Sequence, residues 1–399
     1  MKFKIKLFLF VLVIVSWIGC KKSDGGDSSD LLALLGILGA ATTVPAPACQ
    51  DSASSTRTWN VISGATGRSL ASKAILTNGK VLAIGGEGNL GSATLDQVQS
   101  FDFNTSQWTT INPLNVGRSY HSSISLNNGK ALVFGGTDIN LIFVSSVELY
   151  DPANGNWSFA APMGHARALH VPVLLADGRV LVSGGEENFN ATFGAEIYNP
   201  TQNTWSDTLP MTTSRWSSTA TVLQNGKVLV AGGNGANSVM NTAELYNSND
   251  NSWTLLPPMR ESRQSHSAIL LNDGRLLVAG GEFVATANQF AYRDSMEIYD
   301  PQTNQWTYKK MPVSRSEFTM ELLNDGSVLF LGGRDRNGNA GFVSSNLRYF
   351  PSTDSWCEIP RLKTLRNSHY SATLRNGSIF VFGGISATGY ENSSEILKW

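Results

Sequence analysis

Apolar residues along this chain come in short runs that break at a Gly-Gly pair, and the break recurs seven times. Taking the first glycine of each pair, it falls at Gly85, Gly135, Gly184, Gly232, Gly280, Gly332 and Gly383, giving intervals of 50, 49, 48, 48, 52 and 51 residues. Each run is the second half of a hairpin, as in LQNGKVLVAGG and LNDGRLLVAGG, where Asn-Gly or Asp-Gly supplies the positive φ angles of a two-residue turn. Two further positions keep step. An arginine stands 17 residues before every pair (Arg68, Arg118, Arg167, Arg215, Arg263, Arg315 and Arg366). A tryptophan stands 9 or 10 residues before each arginine (Trp59, Trp108, Trp157, Trp205, Trp253, Trp306 and Trp356). Phe101, Tyr150, Tyr198, Tyr246, Tyr299 and Tyr349 each stand seven residues before a tryptophan. The pattern predicts two hairpins per repeat, strands a and b, then c and d. The stretch from Gly-Gly to the aromatic runs 16, 15, 14, 14, 19 and 17 residues in the first six repeats, so the b–c loop carries nearly all the length variation.

A unit of this period cannot bury its apolar face alone, and stacked copies bury one another's. The pattern resembles the kelch repeat, also found in the propeller of the galactose oxidase group. The shared features are the RxxHS-like start of strand a, the Gly-Gly after strand b, the Tyr of strand c and the Trp of strand d. The resemblance covers about Thr58 to Trp399. It implies an all-β, seven-bladed propeller of four-stranded antiparallel blades around a central channel, strand a innermost and strand d outermost. The first tryptophan, in TRTWNVIS, has no a, b or c strand before it, and the last repeat has a, b and c strands but no d. The N-terminal strand is therefore expected to complete the seventh blade, leaving no unpaired edge. One closed ring reads as a monomer.

Ahead of the repeats, Lys2, Lys4 and Lys6 precede an apolar run from Leu7 to Trp17, the charge and length of an export signal. Its ending, Ile18-Gly19-Cys20, resembles a bacterial lipoprotein cleavage box, with Trp17 where leucine is usual. The resemblance implies that residues 1–19 are removed and that Cys20 carries the acyl chains, palmitate among them, that anchor the protein to a membrane. Lys21, rather than aspartate, by the same resemblance argues for the outer membrane or cell surface. Residues 20–56 read as a lipidated flexible tether and 57–399 as the propeller. Within the tether, LLALLGILGAA (31–41) is too short to span a bilayer.

Charge adds an exclusion. Loss of the first nineteen residues removes three lysines and no acid, leaving 27 basic against 31 acidic residues. No basic stripe remains for a nucleic acid.

Candidate chemistry divides into what repeats and what does not. The seven arginines open strand a near the channel mouth, where guanidinium groups could hold carboxylate or phosphate. Their presence in every blade favours a framework role, and so does that of the strand c glutamates, Glu148, Glu196, Glu244, Glu297 and Glu395. His121, His170, His266 and His369 belong to the repeat's own HS position, so no metal site is expected, and no cofactor. Asp335, Asn337 and Asn339 spell D-x-N-x-N but lack the glutamate of a calcium loop. The copper oxidases of the propeller group need a cysteine cross-linked to a tyrosine at the axis, and only Cys20, Cys49 and Cys357 exist. No catalytic residue is assigned. In an oxidising compartment Cys49 and Cys357 are a candidate disulfide, with two free thiols as the alternative.

The loops look like contact surface. Leu141, Ile142 and Phe143 lie in the second b–c loop, Phe189 and Phe193 in the third, Phe283, Phe290, Tyr292 and Arg293 in the fifth, and Arg334, Arg336 and Phe342 in the sixth. Aromatics with arginine are what binding hot spots are made of. The expected function is an exported, lipid-anchored binding module whose loops engage an extracytoplasmic protein or glycan. The alternative is a carbohydrate-active propeller enzyme of epimerase, mutarotase or hydrolase type, acting at the channel mouth.

Overall fold

The computed structural model describes residues 46, 47, 49, 57–88, 94–286, 289–335 and 341–399. The signal, Cys20, most of the tether, Arg336, Asn337 and Asn339 lie outside the described residues.

Seven four-stranded antiparallel sheets make up the fold. Blade one consists of Ser72–Ile75, Val81–Ile84, Val98–Asp102 and Gln107–Ile111, in the spatial order a-b-c-d. Blades two to six repeat that order. Blade seven takes strands a, b and c from Tyr370–Thr373, Ile379–Phe382 and Ser394–Leu397, and its outer strand is Trp59–Ile62, with Trp59 opposite Leu397. The ring is thus closed by joining its two chain ends in one sheet, as the unmatched first tryptophan implied.

Strand b is buried along its whole length in every blade, which explains its unbroken apolar sequence. The core is distributed over the seven junctions between blades. At the closing junction Val81, Ala83 and Phe101 of blade one pack on Ala372, Phe380 and Phe382 of blade seven, with Phe101 stacked 4.3 Å from Phe380. The tryptophans tie the outer edge. The indole N–H of Trp59 donates to Pro360 O (2.8 Å), that of Trp157 to Asn112 O (2.9 Å) and that of Trp205 to Ala161 O (2.8 Å), each acceptor following the outer strand of the preceding blade.

The Gly-Gly pair is a contact between blades. Gly86 N–H donates to Arg118 O of the next blade, and the same bond recurs around the ring until Gly384 N–H reaches Arg68 O at 2.8 Å. A Cβ on Gly232 would stand 2.6 Å from Arg263 O and 2.7 Å from the His266 ring, so only glycine allows the approach.

Ahead of the propeller, Cys49 N–H donates to Glu358 O (3.0 Å) and Glu358 N–H to Pro47 O (2.8 Å). This segment runs along the outer strand of blade six, where Cys49 and Cys357 form a disulfide with their Cα atoms 4.8 Å apart. The end of the segment expected to be a flexible tether is therefore fastened to the ring.

Candidate functional site at the channel mouth

The residues that repeat are spent on the framework. All seven arginines are buried, and in each the guanidinium Nη1 donates to the carbonyl of the first glycine of its own repeat, from 2.7 Å at Arg263 to 3.3 Å at Arg315. Five also pair with the strand c glutamate: Arg118–Glu148, Arg167–Glu196, Arg215–Glu244, Arg263–Glu297 and Arg366–Glu395, at 2.8 to 2.9 Å. Each glutamate accepts in addition from the backbone of the loop entering its blade, as Glu244 does from Thr212 N–H at 2.6 Å. Arg68 and Arg315 lack that acid, because Gln99 and Leu347 occupy its place, and burial pushes both guanidinium groups down to about 10. A ring of arginines open to a ligand is not what the mouth offers; their donors face inward.

Three of the four buried repeat histidines are struts. His121 Nε2 lies 2.8 Å from Ser72 Oγ, His266 Nε2 2.9 Å from Thr219 Oγ1 and His369 Nε2 3.0 Å from Thr319 Oγ1, each partner belonging to the preceding blade. Burial, then the neighbouring arginine, pushes His170, His266 and His369 down to about 3, so they stay neutral. Among the described residues no group of three or more His, Cys, Asp or Glu side chains is placed to hold a metal ion.

What does not repeat gathers at the axis. Two residues after each arginine the chain turns into the channel with positive φ, at Leu70, Tyr120, Leu169, Ser217, Ser265, Glu317 and Ser368 (φ 49–55°). Backbone bonds join several of these in a belt: Tyr120 N–H to Leu70 O, Leu169 N–H to Tyr120 O, Glu317 N–H to Ser265 O and Ser368 N–H to Glu317 O, all 2.9–3.0 Å. Directly after each glycine pair comes a second variable position, Glu87, Thr137, Glu186, Asn234, Glu282, Arg334 and Ile385. Each pairs across with the residue following its repeat's arginine.

Tyr120 marks the centre. Burial raises its hydroxyl's pKa, and so do Glu87, Tyr390, Glu186 and Glu317, which belong to blades one, seven, three and six. A side chain of blade two feels all four only if it lies at the axis. Around it, Glu87 is 5% exposed and accepts from the Tyr390 hydroxyl at 3.1 Å. Glu282 is 3% exposed and accepts from Gln264 Nε2 (3.1 Å) and Ser316 Oγ (3.4 Å). Burial, then the neighbouring Glu317, pushes Glu282 up to about 7; burial raises Glu87 as well. Glu317 accepts from Ser368 Oγ (2.7 Å) and pairs with Arg334 at 3.5 Å. A search for linear motifs misses this cluster, whose members are spread from Glu87 to Tyr390 over six of the seven repeats. Aligning the seven repeats on arginine and Gly-Gly would have shown two columns of changing chemistry between constant ones.

The predicted loop residues mostly tuck down. Phe143 packs edge-on against Phe189, with centroids 5.0 Å apart, and the Arg293 guanidinium lies 3.5 Å over the Phe283 ring. Phe290 and Tyr292 are half-buried, Tyr292 sits 5.8 Å from Arg334, and Phe342 is buried. Among the described residues of the b–c loops, the large apolar side chains turned outward are Ile139, Leu141, Ile142, Phe193 and Val284. The fifth loop forms a ribbon, Glu282–Thr286 against Gln289–Tyr292, that begins at the mouth itself.

The geometry is shared with a solved structure described as a novel fungal alcohol oxidase with catalytic diversity among the AA5 family, in complex with copper. The match has a TM-score of 0.71 at 16% identity and covers 86% of this chain and 76% of that one. At that identity the likeness is one of fold. The model of the KLHDC2/KLHL20/DRC7 Kelch-repeats domain matches residues 121–333, more than half of the sequence. With that match and a ring built blade by blade on its repeat, the chain belongs to the Kelch-repeat family.

Proposed function

We propose that this protein is a binding module that grips a partner protein with the loop face of its propeller. One observation carries the reading: every charged side chain common to the blades is consumed between strands, while the two positions that change from blade to blade converge on the channel mouth. Scaffold residues are expected to recur and recognition residues to differ. The exposed Ile139, Ile142, Phe193 and Val284 beside the mouth supply apolar contact area. We further propose export and display at a membrane surface through a lipid on Cys20, on the strength of the ordered charge, apolar run, small residue and cysteine in the sequence. Acyl-chain labelling lost in Cys20→Ala supports that anchor, and undiminished labelling sinks it.

The binding reading is tested by replacing Phe283–Tyr292 with residues 235–240 of the short fourth loop. Capture of a surface protein by the full chain should disappear while the melting temperature stays within a few degrees. Capture that survives the exchange, or turnover of a sugar found on a glycan array, overturns it.

A further inference from the structure

Resting on the reading of the mouth as a protein-binding site, we propose that the partner presents a cationic side chain, lysine or arginine, which enters the channel mouth against Tyr120 and is held by Glu282 and its neighbour Glu317, with Glu87 adding negative charge at the mouth. The argument begins with a shortage of positive charge. A carboxylate withdrawn from water is costly unless an opposite charge or several donors compensate it. The five framework glutamates each have a guanidinium within 2.9 Å. Glu87 and Glu282 are buried almost as fully, yet among the described residues neither has a cation within ion-pair distance, and the partners described above are neutral hydroxyl and amide groups. Among the described residues Arg334 is the positive group that acts on Glu282, and Glu317 already engages it.

A separate observation points the same way. Gln264 is completely buried and spends its amide nitrogen on Glu282, while its Oε1 has no partner among the described residues. Ser69 Oγ, on the residue paired across from Glu87, is likewise buried and unpartnered. An acceptor left without a donor next to an uncompensated carboxylate calls for a group carrying several N–H bonds and a positive charge. An ammonium offers three such donors and a guanidinium five. Tyr120 adds an aromatic surface at the axis, against which a cation gains further. The donor geometry does not suit a metal, since no three acidic or histidine side chains among the described residues converge at ligating range. An acidic partner would meet the same carboxylates as repulsion, so the arrangement also excludes.

The test uses the full chain and four end-blocked tripeptides, Gly-X-Gly, with X as lysine, arginine, Nε-acetyl-lysine or glutamate, titrated at low salt by ligand-observed NMR. The lysine and arginine peptides should bind at least tenfold more tightly than the other two. Glu87→Gln with Glu282→Gln should erase that preference while leaving the melting temperature unchanged or higher. Equal binding of lysine and acetyl-lysine peptides, or a preference that outlasts the double substitution, overturns the proposal. Failure here is separable from failure of the binding-module reading. A partner captured undiminished by the double variant but lost on the loop exchange leaves a binding module without a cation site. A lysine preference without any captured protein leaves the cation site and removes the binding module.

Discussion

Glu244 and Glu282 are the same residue type, almost equally buried, in adjacent blades, and their carboxyl groups are driven in opposite directions. Burial alone would raise both. At Glu244 it is outweighed by the Thr213 hydroxyl, the Thr212 N–H and the Arg215 guanidinium, which hold the carboxyl below its ordinary value. At Glu282 burial and then Glu317 repulsion outweigh the Gln264 amide, the Arg334 guanidinium and the Ser316 hydroxyl, and the group rises to about 7. The Arg215–Glu244 ion pair has counterparts in four other blades, whereas the Glu282 setting belongs to the mouth. The contrast separates a carboxylate that stabilises the ring from one that the ring tolerates.

The contrast would break most visibly at the framework pair. Arg215→Met leaves Glu244 buried without its guanidinium, and a stranded charge of that kind costs about 3–5 kcal/mol. Urea unfolding at pH 7 measures it. Adding Glu244→Leu should recover only part of the loss, because Thr212 and Thr213 N–H then lose their acceptor. Complete recovery would mean that the glutamate does not clamp the loop.

At the mouth the sign reverses. Glu282 faces Gln264 and Ser316 as donors and Glu317 and Arg334 as charges. With a folded value of about 7 above an ordinary 4.5, the folded protein keeps a proton that the unfolded chain has released. Stability contributed by this group is therefore full below pH 4.5 and lost as pH rises to 7, by about 3 kcal/mol. Glu282→Gln should match the parent at pH 4 and exceed it by about that amount at pH 8. Equal stabilities at both pH values would show that the carboxylate is already compensated.

Histidine supplies the opposite slope. His266 titrates near pH 3 in the folded ring against an ordinary 6.5, so its contribution is present above pH 6.5 and drains away as pH falls. By pH 4.5 the loss is about 2–3 kcal/mol. His266→Gln, measured from pH 7 to 4.5, should flatten that decline; an unchanged slope would place the acid sensitivity elsewhere.

How much of this was legible depends on whether a residue acts within its repeat or across the ring. The Gly-Gly pairs, the arginines and the unmatched Trp59 announce blade count and closure, because each does the same job at a fixed spacing. Glu87, Tyr120 and the Gln264–Glu282 pair belong to three different repeats and meet only when the ring closes, so no window of sequence contains the site. The loop aromatics were visible but misleading: Phe143 and Phe283 look exposed in a glycine-poor loop, yet each finds a partner in Phe189 or Arg293. Cys49 stands in a stretch without pattern, and only its backbone pairing with Glu358 places it beside Cys357.

The smallest effect concerns the backbone of the mouth itself. Gly232 and Ser217 both have φ near +50 to +60°, but for different reasons. A side chain at Gly232 would collide with Arg263 O and the His266 ring, so glycine is demanded by the neighbour. Nothing comparable requires serine at Ser217, where a left-handed conformation costs an ordinary residue about 1–2 kcal/mol. That cost is carried in all seven blades by residues other than glycine, and it makes sense if the mouth needs their side chains. Ser217→Gly removes the strain and adds flexibility to the unfolded chain, so the net gain should be about 0.5–1 kcal/mol, read as a small rise in denaturation midpoint. Glu317→Gly relieves the same strain but forfeits the bonds to Ser368 and Arg334, and should show no gain. A loss of stability in Ser217→Gly would mean that the belt's side chains support the fold, and the division between a repeating framework and a variable, strained mouth would fail at its rim.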